Sequence, residues 1–135
     1  MKSDKRFTRA HKDITNAFLT LLKAMPYSEI KVVDLLKLAG YSKAAFYAHF
    51  KNKDDCMKAI VDEEVEHYMN CFLKLFQGTE AHNRPDKYEI YHAYFQHVYN
   101  KMDFYRTIFS QDSLSTYYVY FLLMVRQRTL DHFSI

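Results

Sequence analysis

An all-α fold is predicted by three observations. Apolar residues recur at helical spacing along most of the chain, the period that turns one face of a helix toward a core. Glycine and proline number two each, too few for many tight turns. No segment alternates apolar and polar residues as a half-buried strand would. At 135 residues, 49% hydrophobic and 17% aromatic, the chain can build one compact core, or a small domain and part of another. It is too apolar for wholesale disorder.

The first helix is signalled by Ile14, Ala17, Phe18, Leu21, Leu22 and Met25 on one face, and Pro26 ends it. Upstream lies a basic lead-in, Lys5, Arg6, Arg9 and Lys12. A short helix follows over Val32–Ala39, stopped by Gly40, which tolerates a left-handed helix end. Ser42 reads as the N-cap of the next helix, through Lys43–His49. Residues 31–50 therefore have the helix-turn-helix pattern. The longest helix opens at Asn52 or Lys53, ahead of Asp54 and Asp55, acids that suit the positive helix end. Met57, Ile60, Val61, Val65, Tyr68, Met69, Phe72, Leu73 and Phe76 carry it to Gly78. Thr79–Pro85 reads as a loop. Tyr88, Tyr91, Phe95, Val98, Tyr99 and Met102 mark another helix, and Asp103–Phe109 a short one. Ser113 is placed to cap a last helix bearing Leu114, Tyr117, Tyr118, Phe121, Leu122 and Val125.

Composition excludes several classes. Two cysteines cannot staple a secreted scaffold and suit a reducing compartment. No apolar run reaches the roughly 20 residues that span a bilayer. Met1–Arg6 has no apolar stretch behind it, so a signal peptide is not expected. A cytoplasmic protein with no membrane partner is expected. Residues 1–60 hold 12 Lys and Arg against 6 Asp and Glu, whereas the rest hold 7 against 10. A basic first half suggests one part that meets a polyanion, or a solvated surface with chance asymmetry.

The segment Ala39-Gly40-Tyr41-Ser42-Lys43-Ala44-Ala45-Phe46-Tyr47-Ala48-His49-Phe50-Lys51-Asn52-Lys53-Asp54 resembles the DNA-binding segment of the TetR/AcrR family of transcriptional regulators. That family typically reads A-G-V-S-x-G-T-hydrophobic-Y-x-H-F-x-x-K-E. Ala39, Gly40, Ser42, Tyr47, His49, Phe50 and Lys53 match outright, Phe46 by type, and Asp54 stands for Glu. Ile30–Leu35 is similar to the family's I-T-V-x-D-I. The resemblance covers residues 8–68, taken as the DNA-binding domain, with residues 69–135 as a helical ligand-binding and dimerisation domain. Members of the family run longer, so this second domain reads as incomplete. Three positions depart from the pattern: Lys31 stands for the capping Thr, Ala44 for Gly, and Tyr41 for a small aliphatic.

In a helix-turn-helix the second helix enters the major groove tip first. Ser42, Lys43, Ala44 and Ala45 form that tip. Lys43 reaches a guanine edge or a phosphate, whereas Ala44 and Ala45 offer only packing, which leaves a share to shape readout. Lys31 meets phosphate as a point charge. The resemblance implies phosphate contacts from Tyr47, His49 and Lys53, while Phe46 and Phe50 fill the core with Ile14, Phe18, Leu35 and Ala39. The basic stretch Lys2–Lys12 is either an arm on the DNA backbone or minor groove, or a solubilising tail.

The resemblance also implies a sequence-specific regulator, chiefly a repressor. It would act as a homodimer on a palindromic double-stranded operator and be released by a small-molecule inducer. Tyr68, Phe72, Tyr91, Phe95, Tyr99, Phe109, Tyr117 and Phe121 are the aromatics that would line an inducer cavity, unless they simply pack a core. An activator role, or control through a bound coregulator protein, remains open, as does a helical protein-interaction module with altered DNA contacts. No enzyme, cofactor or metal is expected: the chain has no Gly-rich phosphate loop, no G-x-S-x-G and no H-E-x-x-H. Glu63, His67 and Cys71 stack at i, i+4 and i+8 on one helix, where a metal sensor could use two of them with further ligands; the spacing is common, and Cys71 reads as a small buried filler.

Overall fold

The computed structural model describes residues 2–78 and 83–134. Among them there are helices and turns and no strand. Seven α-helices follow in order: α1 (Lys2–Ala24), α2 (Val32–Ala39), α3 (Lys43–His49), α4 (Lys53–Leu73), α5 (Lys87–Asn100), α6 (Met102–Ser110) and α7 (Ser115–Phe133). Three one-turn 3-10 segments sit between them, at Tyr27–Glu29, Lys74–Phe76 and Asp112–Leu114.

The basic lead-in is neither an extended arm nor a loose tail. It forms the first turns of α1, so Lys5, Arg6, Arg9 and Lys12 ride on a continuous helix. Asp4 in its first turn suits the positive helix end. Gly40 closes α2 with φ 76°, a left-handed conformation, and its N–H donates to the Leu36 carbonyl at 2.9 Å. Ser42 caps α3 by accepting from Ala45 N–H at 3.2 Å, and Asn52 caps α4 by accepting from Asp55 N–H at 2.8 Å. Asp86 and Glu89 close a reciprocal capping box on α5. Ser113 is not a cap: it lies inside the last 3-10 turn, and α7 opens after Leu114 with no side-chain cap. Of the expected Thr79–Pro85 loop, residues 79–82 lie outside the described residues.

One core runs through the molecule. Ile14, Phe18, Leu35, Phe46 and Met57 are fully enclosed at its N-terminal end, and Ala39 packs against it half-buried. The same cluster continues through Val61, Val65 and Met69 to Ile108, Leu114 and Phe121. Helix α4 is the shared wall, packing on α1 at one end and on α5 and α7 along the rest. Burying these side chains stabilises the fold by roughly 1.5–3 kcal/mol each.

The first three helices are tied to the last two by a polar lock. Tyr27 N–H donates to Gln111 Oε1 at 2.8 Å, and Gln111 Nε2 donates to the Leu22 carbonyl at 3.3 Å. The Tyr27 hydroxyl donates to Asp54 and lies 3.2 Å from the Tyr117 hydroxyl. Burial first, then Asp54, pushes the Tyr27 phenol well above its usual value. It stays a neutral donor across the working pH range.

Candidate nucleic-acid interface

Helix α3 has one face in the core and one in solvent. Phe46 and Phe50 are buried, four residues apart on the inner face. Tyr47, one residue on from Phe46, is 57% exposed. Ser42, Lys43 and Ala44 at the tip are exposed, and Ala45 is half-buried. The first turns of α1 are docked beside the other end of α3, where the Phe7 and His49 rings stack at 3.8 Å. That stack brings the exposed Arg6 and Arg9 near α3.

Each departure from the motif has a local consequence. Lys31 occupies the N-cap of α2 with extended backbone, and its side chain makes no cap bond. Its ammonium is exposed instead. The Tyr41 hydroxyl donates to Asp13 Oδ2 at 2.7 Å and so pins the turn to α1, a contact no small aliphatic can make. Ala44 adds only a methyl to an exposed tip.

His49 is half-buried, with Nδ1 enclosed and without a hydrogen-bond partner. Burial, reinforced by nearby His11, holds the ring below the usual imidazole value. A neutral ring with an enclosed, unpartnered Nδ1 is best served by carrying its proton on Nε2. His49 thus offers a neutral N–H rather than a cation. Lys53 turns inward. Its ammonium donates to the Tyr27 carbonyl at 2.8 Å and lies 4.2 Å from the Tyr27 ring centroid.

The eight aromatics read as cavity lining do not share one cavity. Tyr91, Phe95, Tyr99 and Phe109 are exposed. Phe72 and Phe121 are buried in the core, and Tyr68 packs against it. The Tyr117 hydroxyl donates to Asp54 Oδ1 at 3.1 Å. The inward side of α5 carries Ile90, Tyr94, His97 and Val98 instead. Two clefts lie along α1. One of about 410 Å³ is bordered by Leu19, Lys23, Tyr99, Lys101, Phe104 and Thr107. Another of about 420 Å³ is bordered by His11, Lys12, Thr15, Glu64, His67 and Lys101.

A buried ionic cluster was not foreseen from the sequence. Glu64 is 2% exposed yet carries a carboxylate. It accepts from His97 Nε2 at 2.6 Å, from Lys101 Nζ at 2.7 Å and from the Tyr105 hydroxyl at 2.6 Å. Burial alone would push the Glu64 carboxyl up, but bonds from Lys101, Tyr105 and His97 outweigh it and hold the carboxyl below its usual value. The available signal was an acid in phase with Ile60, Val61 and Val65 on the inner face of α4. Cys71, read as a buried filler, is exposed instead. Glu63, His67 and Cys71 do not converge. The Lys101 ammonium meets His67 Nδ1 at 3.2 Å, whereas Cys71 Sγ meets His97 Nδ1 at 3.3 Å. No cluster of three metal-ligating side chains occurs among the described residues.

An all-helical protein with a capped helix-turn-helix and an outward face on its second helix has the architecture of helix-turn-helix DNA-binding domains. Residues 14–60, which hold the helix-turn-helix, match the family of bacterial regulatory proteins, tetR family. The chain is also similar to an uncharacterized HTH-type transcriptional regulator, YwcC, of Bacillus subtilis (strain 168), at 40% identity over 48 residues. That match takes in 36% of this chain and 22% of the relative's length. No solved structure matches the chain. No helix among the described residues is long and apolar enough to cross a membrane.

Proposed function

We propose that the chain is a sequence-specific, DNA-binding transcriptional regulator that represses from a palindromic operator as a homodimer and is released by a small molecule. The observation that carries the DNA reading is the two-sided α3. Phe46 and Phe50 anchor it from within, which leaves Ser42, Lys43, Ala44 and Tyr47 as an outward ridge. Arg6 and Arg9 stand beside that ridge through the Phe7–His49 stack.

In this reading Lys43 supplies the direct base contact, with Ala44 and Ala45 packing against the groove floor. Lys31, Tyr47 and His49 position the backbone, His49 as a neutral donor. Lys53 acts from its place against Tyr27, through the backbone at the start of α4, where free N–H groups favour a phosphate. The domain boundary falls within α4, near residue 68. A small molecule in the clefts along α1 would act on the orientation of the reading head, since they join α1 to α4 and α6.

The test is selection of bound sequences from random duplex DNA at moderate salt, with the mass in solution measured alongside. Recovery of a palindrome by a dimer is the expected result. Failure to bind any duplex at low salt would overturn the reading.

A further inference from the structure

Cys71, His97 and Glu64 stand in line, and the DNA reading uses none of them. Cys71 is exposed near the C-terminal end of α4. His97 comes from α5 and is 9% exposed, so the base is buried while the thiol faces solvent. Cys71 Sγ lies 3.3 Å from His97 Nδ1, and His97 Nε2 lies 2.6 Å from Glu64 Oε1. This is the nucleophile, base and orienting acid arrangement that activates a thiol.

The orientation follows from the partners. Glu64 is an acceptor held ionised by Lys101, with the Tyr105 hydroxyl as a further donor. Nε2 must therefore carry a proton and donate to it. In the neutral ring Nδ1 is then the lone pair that faces the thiol. The remaining neighbours of the relay are the Tyr68 and Tyr105 rings against His97, and His67 beside Lys101. The second cysteine is a built-in contrast: Cys56 is fully buried, and burial pushes its thiol up to about 12.

We propose that Cys71 is a modification site for α,β-unsaturated carbonyl compounds, activated by His97 and Glu64. The thiol proton passes from Sγ to His97 Nδ1, and the thiolate attacks the β-carbon of the electrophile. An S–C bond forms as the C=C π bond breaks. Its electron pair moves to the α-carbon, which takes the proton back from Nδ1. Thiol adds across the double bond with no other reactant. The imidazolium formed in the first step is stabilised between thiolate and carboxylate, and returns to neutral imidazole when the α-carbon is protonated.

The experiment uses N-ethylmaleimide on the folded chain, with adducts counted and located by mass spectrometry. A single adduct on Cys71 is expected, with a rate at pH 6 at least tenfold above that of glutathione, since ordinary thiols are almost wholly protonated there. His97→Gln should bring Cys71 down to the glutathione rate while circular dichroism stays helical. A wild-type Cys71 no faster than glutathione at pH 6, or an unchanged rate in a folded His97→Gln, would overturn the proposal. Should the variant not fold, the wild-type rate alone decides. Neither readout involves DNA, so the outcome is independent of the DNA-binding reading.

Discussion

Phe46 and Tyr47 are adjacent aromatics with opposite surroundings, and the helical period alone separates them. Phe46 falls in phase with Phe50 and is buried; Tyr47 is a hundred degrees round the helix and faces out. The sequence makes that division legible. A Tyr47→Ala variant should therefore leave thermal stability almost unchanged. It should weaken duplex binding about tenfold on every sequence tested, as loss of a charge-assisted backbone contact does. Titration of the variant on a selected site and on random duplex checks both parts. Glu64 shows where residue-level reading stops. Its position in the apolar phase of α4 is visible in the sequence, but its partners come from α5 and α6, so its role depends on tertiary structure. Its carboxyl is held low in the folded state. The stability it contributes is therefore present above the unfolded value of about 4.3 and is lost as pH falls toward the folded one. Glu64→Gln should cost about 3 kcal/mol at neutral pH by breaking the buried pair. It should also flatten the acid limb of stability between about pH 5 and pH 3, measured by urea denaturation across that range.

Helix ends were legible wherever a side chain or glycine makes the stop locally. Gly40, Ser42 and Asn52 act as their residue types suggest. Three ends were misread, among them that of α4, which stops at Leu73 and passes into the 3-10 turn Lys74–Phe76 short of Gly78. Helix α1 begins far upstream of its apolar stripe, and α7 opens after a 3-10 turn that absorbs Ser113. Lys31 is the informative exception, an N-cap position with extended backbone and no capping side chain. Lys31→Thr supplies the missing acceptor for the first free N–H groups of α2. It should raise stability by about 1 kcal/mol. The same change removes one exposed cation from the proposed phosphate contacts. The slope of log affinity against log salt should then fall by about one unit. Opposite signs on stability and affinity in one variant separate capping from DNA contact. Chemical denaturation and binding at several salt concentrations read them independently.

Across the whole molecule, the aromatics of the second half were legible as helix-forming but not as inward or outward. Periodicity finds a stripe without saying which stripe a neighbouring helix covers. On α5, Tyr88, Tyr91, Phe95 and Tyr99 form the outer face, at 71, 56, 73 and 71% exposed. On α7, Val119, Leu122 and Leu123 are likewise open. Two outward apolar helix faces exceed the scattered single residues ordinary on a surface, and such patches mark association sites. A homodimer of helix-turn-helix heads needs a self-complementary face of this kind. The chain should therefore associate reversibly, its weight-average mass rising toward a dimer with concentration in sedimentation equilibrium. Leu123→Glu places a charge on the α7 face and Phe95→Glu does so on the α5 face. Both positions are exposed, so each variant should keep its melting temperature within the small range of surface substitutions. The variant that returns the chain to monomer identifies the pairing face, because a charge desolvated at a close interface is strongly unfavourable. If the wild type stays monomeric at the highest concentration reached, neither face pairs two copies of this chain. Operator binding by a preformed dimer would then be excluded with it.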